Sequence, residues 1–362
     1  MSNEPKTKLS ASRLKTAQSC SWLYYCKYKL RLPDKGNDGS SRGTVCHAVL
    51  EVLAKEGRED YYQTIIDAND VFAVPSVGRL VKTLATSLGV ADQENLDFIN
   101  FMTVNGLAYD YFGKDLAKPT YSFSEKKFDI SINSDGKRYR INGFIDKLFL
   151  YKNKKAAIIR DFKTSKQVFD GKDATDNMQD LMYSLAVKHL YPHYSSRQSE
   201  FLFLKFDLNS DLLGQDGEGV LKMSPLTDAE LDGFEHQLTA WQNYLDDFDE
   251  NSAHDDFAYD HGFYKKEEGK GFAGRLMCGY AKYPGHLKKD GSVMWHCTYK
   301  FPFNYYALKS PDGSIKKTVF EDERDLLLPL QEEGDTIEEM HYEGCPRHRM
   351  PIAPSSEDPF TL

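Results

Sequence analysis

Residues 158–166 read IIRDFKTSK, a short apolar run that closes on an acid, an aromatic and an amine. In a strand, alternation places Asp161 and Lys163 on one face and sends Phe162 to the other. A carboxylate and an ammonium side by side at a strand end can hold a hard cation, orient or help deprotonate an attacking water, and steady charge developing on phosphorus. An exposed strand end with a surface ion pair is the competing reading.

Other residues of the right type recur nearby. His47 stands in RGTVCHAVLE, on a helix that follows a glycine-bearing loop, and Asp146 stands in GFIDKL, on the strand before IIRDFKTSK. Gln179 and Tyr183 are four apart in QDLMY and so share one face of the next helix. Adjacent strands lie about 4.8 Å apart, so Asp146 and Asp161 can approach across the ladder. Two carboxylates that close repel unless a cation sits between them, and Mg²⁺ or Mn²⁺ takes carboxylate, water and phosphate oxygens.

The elements that must position these side chains are legible from period and punctuation. LSASRLKTAQSCSWLYYCKYKLRLP predicts a helix capped by Ser10 or Ser12, DKGNDGSSRG a loop, and TVCHAVLEVLAKEG a helix closed by Gly57. Residues 58–119 read as mostly helical, broken at Pro75 and Gly89. After Pro119 the period changes to that of strands: YSFSEKKFDISIN, the turn SDGK, RYRINGFIDKLFLY, the turn NKK, then AAIIRDFKTS. TDNMQDLMYSLAVKHLY predicts a helix opening at Thr175 or Asp176. EFLFLKFDL is a further strand and LTDAELDGFEHQLTAWQNYLDDF a long capped helix. The order implies an α/β core, a mixed sheet with helices around it. The expected organisation is one domain over 1–362: N-terminal helices to 57, a helical insertion at 58–119, a core at 120–250 and a C-terminal region at 251–362 ending in a loose PSSEDPFTL tail.

Composition narrows the class. No apolar run nears the roughly 18 residues of a bilayer span, and the polar, basic N-terminus carries no signal-peptide core, so the expected place is the cytoplasm. Net charge is −9, but it is segregated. Residues 1–35 hold eight Lys or Arg against Glu4 and Asp34, residues 147–172 hold eight against Asp161 and Asp170, and residues 321–343 hold ten acids against Arg324. Two basic segments flanking a carboxylate cluster suit a protein that holds a polyanion; solvated surface runs are the alternative. No GxxxxGK[ST] is present, so any helicase or recombination partner would be a separate protein.

GFID followed fifteen residues later by DFK, then by Q-x-x-x-Y on a helix, resembles the PD-(D/E)XK nuclease superfamily. More narrowly it is similar to RecB- and AddB-type exonuclease domains and the related CRISPR-adaptation exonucleases. The upstream G-x-x-x-H (Gly43, His47) and the N-terminal block with Ser10, Ser12, Leu14, Cys20 and Tyr24 or Tyr25 belong to the same pattern. The resemblance covers about residues 9–183 and implies a restriction-endonuclease-like core. It implies His47, Asp146, Asp161 and the Phe162 carbonyl as metal ligands, and Lys163 as the catalytic lysine. Gln179 and Tyr183 would touch DNA near the cleaved phosphate. Glu125, in FSEKKF, matches an acid often found on the first core strand. Ser12, Arg13 and Lys166 join the expected DNA contacts. Asp161 replaces the commoner Glu, shortening its reach by one methylene.

Relatives of this kind often hold a [4Fe–4S] cluster on four cysteines, one N-terminal and three in a tight C-terminal C-x-x-C-x5-C. Cys20 stands where the first belongs. The C-terminal pattern departs: eighteen residues separate Cys278 from Cys297, Phe303 stands where the next Cys is expected, and Cys345 lies far downstream. A cluster on Cys20, Cys278, Cys297 and Cys345 requires the 279–296 insertion to fold out as a hairpin. Buried free thiols, or zinc with His286, His296 or His348, are the alternatives, and Cys26 and Cys46 read as core. HCTYKFPFNYY is also readable as an aromatic face for single-stranded bases. The resulting expectation is a Mg²⁺- or Mn²⁺-dependent exonuclease acting on DNA ends or single strands. An endonuclease or CRISPR-adaptation nuclease on the same core, and a silent DNA-binding scaffold, are its rivals.

Overall fold

A computed structural model describes residues 4–34, 36–55, 57–170, 177–209, 215–261, 263–266, 269–272 and 277–348, with backbone alone at 263–266 and 269–272. The chain divides into two compact units, Met1–Leu14 with Gly36–Asp246, and Lys15–Lys35 with Asp247–Leu362. Among the described residues, no helix is long and apolar enough to cross a membrane.

Helix α1 (Ala11–Ser19) begins after Ser10, whose hydroxyl accepts from the Arg13 N–H, and α2 is the short turn Ser21–Tyr24. Helix α3 (Asp38–Leu53) starts inside the segment expected to be a loop. Asn37 and Ser40 form a reciprocal capping box there, which supplies partners for the first N–H groups despite the glycines and serines around it. Helices α4 (Glu59–Ala68), α5 (Pro75–Ser87) and α6 (Gln93–Ala108) follow. Pro75 opens α5, where its missing N–H costs nothing.

Strands β1 (Tyr121–Ser134), β2 (Lys137–Tyr151) and β3 (Ala156–Lys163) form an antiparallel meander. Helix α7 (Met178–Leu190) then returns the chain so that β4 (Ser196–Phe203) pairs parallel to β3, and β5 (Val220–Lys222) closes a mixed sheet in the order β1-β2-β3-β4-β5. Thr175 and Asp176 lie outside the described residues, as does PSSEDPFTL; Asn177 caps α7, accepting from the Gln179 and Asp180 N–H groups. Strand β4 begins four residues before the expected EFLFLKFDL, where Arg197, Ser199 and Glu200 are polar yet buried, and ends at Phe203, where the Phe206 N–H donates to the Phe203 carbonyl in a turn. Helix α8 (Asp228–Asp246) carries a Thr227–Glu230 capping box. Phe162 points away from Asp161, as alternation requires, into a core with Val45, Val49, Leu50, Ile99 and Leu202.

In the second unit, β6 (Phe263–Lys266) and β7 (Gly269–Phe272) form a ribbon. Strands β8 (Phe303–Lys309), β9 (Ile315–Phe320) and β10 (Thr336–Tyr342) form a sheet in the order β10-β8-β9. Tyr342 ties this sheet to the N-terminal segment: its hydroxyl accepts from Trp22 Nε1 at 2.8 Å and from the Cys26 thiol at 3.5 Å.

Candidate active site

The ladder of β2 and β3 runs to Lys147 opposite Arg160, so Asp146 and Asp161 stand next in register at its open end. Asp146 Oδ2 accepts the Phe162 N–H at 2.7 Å, which fixes the carboxylate against β3. His47 comes from α3. Its Nδ1 lies 3.4 Å from Asp146 Oδ2. The helix can approach because residue 43 is glycine: a Cβ there would meet Thr164 Oγ1 at 2.6 Å. Gly43 and His47 are one helical turn apart, so the close contact and the imidazole share a face.

Glu125 completes a trio. Ligand atoms of His47, Glu125 and Asp146 all lie within 4.8 Å of one another, the one such group of three or more His, Cys, Asp or Glu among the described residues. Glu125 sits on β1 opposite Asp146 with φ 47°, in the left-handed region that a non-glycine residue enters at a cost. Burial and the Asp146 charge both raise its carboxyl, with His47 pulling the other way. Burial alone would lower the His47 imidazole, but Asp146, Asp161 and Glu125 outweigh it and raise it to about 9. Glu125→Gly is expected to stabilise the metal-free chain by about 1 kcal/mol, since glycine adopts positive φ freely. The same variant is expected to show a smaller rise in Tm on adding Mn²⁺ than the wild type; melts with and without metal check both effects.

Asp161 lies outside this trio and is held by Lys163 and Gln179. Lys163 Nζ lies against the buried Asp161 Oδ2 at 2.5 Å, a close ion pair. Lys163 Nζ also donates to Gln179 Oε1 at 2.6 Å. Gln179 Nε2 donates to Asp161 Oδ1 at 2.5 Å and to the Tyr183 hydroxyl at 2.7 Å. Gln179 therefore bridges the acid and the amine, a task its position in Q-x-x-x-Y did not disclose. Burial raises the Asp161 carboxyl above the ordinary range, opposed by Lys163. Tyr183 is itself buried, against Phe128.

The donor set suits a hard divalent cation. It offers oxygen and imidazole ligands within reach of one another, and a repulsion between Glu125 and Asp146 that a cation would relieve. A family model of the PD-(D/E)XK nuclease superfamily matches residues 8–262, well over half of the 362. The chain belongs to this superfamily. No curated protein matches the chain. PD-(D/E)XK nucleases generally use divalent metals, so membership and the trio agree on the kind of site.

One reading of the charges needs correction. Of the eight cations in 147–172, Lys147 and Arg160 are buried and cannot meet a phosphate backbone. Lys152, Lys154 and Lys155 lie at the far end of β3 from Lys163, roughly 25 Å away along an eight-residue strand. Lys166, just past the site, is exposed. In the N-terminal block, the Arg13 guanidinium donates to the Lys8 carbonyl at 3.0 Å, and Ser12 Oγ is 3.1 Å from Ser10 Oγ.

Four of the six cysteines line one cavity in the second unit: Cys20, Cys278, Cys297 and Cys345, with Trp22, Tyr299 and His348. The eighteen-residue separation is bridged as the hairpin reading required, for Cys297 N donates to the Cys278 carbonyl at 3.1 Å. Burial raises the thiols of Cys278 and Cys297 to about 11 and of Cys345 to about 12. His348 Nε2 is buried without a hydrogen-bond partner. Cys26 and Cys46 are both buried.

Proposed function

We propose that this PD-(D/E)XK nuclease is a Mg²⁺- or Mn²⁺-dependent exonuclease of the RecB/AddB type that hydrolyses DNA at ends or in single strands. The observation that carries it is the His47–Glu125–Asp146 trio beside an Asp161–Gln179–Lys163 chain at one strand end. His47, Glu125, Asp146, Asp161 and the Phe162 carbonyl would hold the cation. A bound cation would supply Lewis-acid polarisation of the phosphate ester and neutralise the clustered acids. Lys163, oriented by Gln179, would steady negative charge on the phosphoryl oxygens and position the attacking water. Tyr183 keeps Gln179 in place, and Lys166 with Ser12 and Arg13 would contact the DNA backbone without reading sequence.

The test is digestion of linear and covalently closed circular DNA with Mg²⁺ or Mn²⁺, wild type beside Asp161→Ala. Loss of linear DNA alone, abolished by the substitution, supports the exonuclease. Cutting of circles makes the chain an endonuclease. No metal-dependent loss of either DNA by folded protein leaves a silent DNA-binding scaffold.

The RecB/AddB reading includes a [4Fe–4S] cluster on Cys20, Cys278, Cys297 and Cys345. Zinc on these sulfurs would need them about 3.8 Å apart, from Zn–S bonds near 2.3 Å. Among the described residues no three cysteine sulfurs lie within 4.8 Å of one another, so the four are not drawn together as a zinc site would draw them. Cys345→Ser is expected to abolish the broad visible absorption of anaerobically purified protein and its iron and sulfide content. A colourless wild type holding zinc would overturn the cluster and leave the nuclease reading intact.

A further inference from the structure

The stretch between Cys278 and Cys297 is a hairpin with an unusual surface. Leu287 pairs with Val293, Lys288 N donates to Ser292 O at 2.7 Å, and Met294 N donates to His286 O at 2.7 Å. The tip turns through Gly291 at φ 81°, and Asp290 caps it by accepting from the Ser292 N–H and hydroxyl. The base is rigid. Lys300, itself buried, donates through Nζ to the Gly279 and Ala281 carbonyls at 2.7 and 2.8 Å. Gly279 has φ 73°, and a Cβ there would meet the Trp295 carbonyl oxygen at 2.3 Å.

On this anchored support the large apolar side chains face solvent. Trp295 is 61% exposed, Tyr283 56% and Tyr280 51%, with Val293 and Leu287 at 60% and 55%. Five large apolar side chains exposed on one short ribbon exceed the scattered single exposure of an ordinary surface, and such exposure marks interaction surfaces. The charge on the same residues points to the partner. Residues 279–296 carry Lys282, Lys288 and Lys289 against Asp290, a net +2 in a chain of net −9. Aromatic rings interleaved with lysines match a strand of bases on a phosphate backbone, in which each base offers a face to stack and each phosphate a charge to meet.

We propose that the 279–296 hairpin binds single-stranded DNA, stacking bases on Tyr280, Tyr283 and Trp295 while Lys282, Lys288 and Lys289 meet phosphates. This rests on the reading of the chain as a DNA nuclease and adds to it a grip on the unpaired strand. Duplex DNA offers no free base faces, so the hairpin discriminates in favour of single strands.

The test uses the full chain carrying Asp161→Asn, so that DNA survives the measurement, and a fluorescein-labelled oligothymidylate of about 15 nucleotides, within the span of such sites. Adding Tyr280→Ala, Tyr283→Ala and Trp295→Ala together is expected to weaken binding at least about 30-fold and to leave binding of a duplex of equal length within twofold. These side chains are exposed, so an unchanged melting curve accompanies the loss. A second measurement does not depend on alanine variants: oligothymidylate is expected to quench tryptophan fluorescence, and Trp295→Phe to remove most of that quench, since of the other two tryptophans Trp22 is buried and Trp241 only partly exposed. Unchanged oligothymidylate affinity in the triple variant, or an unchanged quench in Trp295→Phe, overturns the proposal and assigns the face to a protein partner. The two readings fail separately. A wild type that cuts no DNA, while its hairpin variants lose oligothymidylate, defeats the nuclease alone; one that cuts, with a dispensable hairpin, defeats the hairpin alone.

Discussion

Lys163→Met is expected to lower the rate of DNA hydrolysis by about 10³-fold at saturating metal while the chain stays folded. Methionine keeps the aliphatic length that runs between the Phe169 and Phe201 rings, where Nζ now sits 5.9 and 5.4 Å from their centroids. What disappears is the ammonium group. With it go two things: the positive charge available to the phosphoryl oxygens, and the counter-charge that keeps buried Asp161 ionised. The second loss raises the Asp161 carboxyl further, so the variant is expected to recover some activity at higher pH, where Asp161 deprotonates. Lys163→Arg distinguishes the two losses. A guanidinium restores the charge beside Asp161 but does not reproduce the geometry of Nζ on Gln179, so arginine is expected to keep the neutral-pH profile at a reduced rate. Single-turnover rates against pH for wild type and both variants decide the matter. A Lys163→Met enzyme within tenfold of wild type would make this lysine a structural partner of Asp161 and nothing more.

The positions of these groups were readable to different depths for physical reasons. The meander and its turn showed in alternation and in SDGK, and they bring Asp146 and Asp161 together wherever the ladder is in register. Gly43 and His47 showed as a spacing; the close approach to Thr164 that explains the glycine belongs to tertiary packing. Glu125 showed only through resemblance, because a strand residue at φ 47° has no local signature. The α3 start was hidden by glycine and serine, which stand for loops unless a capping box recruits them. The polar first half of β4 was hidden in a similar way. Arg197 donates to the Tyr194 carbonyl and pairs with Asp228, and Glu200 pairs with Arg160, so charged letters occupy buried positions. The acidic run 321–343 likewise conceals β10, in which Tyr342 is buried and Ile337 half-buried among exposed acids.

Arg160 is the residue whose role composition most misstates, and its removal is expected to have the largest effect on stability. It stands one position before Asp161 and reads as part of a basic segment, yet it is almost wholly buried. Its Nε and one terminal nitrogen donate to Glu200 Oε2 at 3.1 and 2.9 Å, directly across the β3–β4 ladder. The other terminal nitrogen donates to the Asp110 carbonyl at 2.7 Å, tying the segment after α6 to the sheet. Arg160→Met is expected to destabilise the chain by about 3–5 kcal/mol, because Glu200 remains buried without a partner. At the scale of a unit this large, that is a fall in Tm of roughly 10 °C. Arg160→Met with Glu200→Leu removes both charges, and is expected to regain at least half of the loss, since a buried ion pair and a packed apolar pair are close in free energy. Urea unfolding of the two single variants and the double variant measures the coupling directly. If Arg160→Met costs less than about 1 kcal/mol, the range of a surface pair, then the guanidinium is not what clamps β3 to β4, and the register that aligns Asp161 with Asp146 must come from the apolar side chains of the sheet alone.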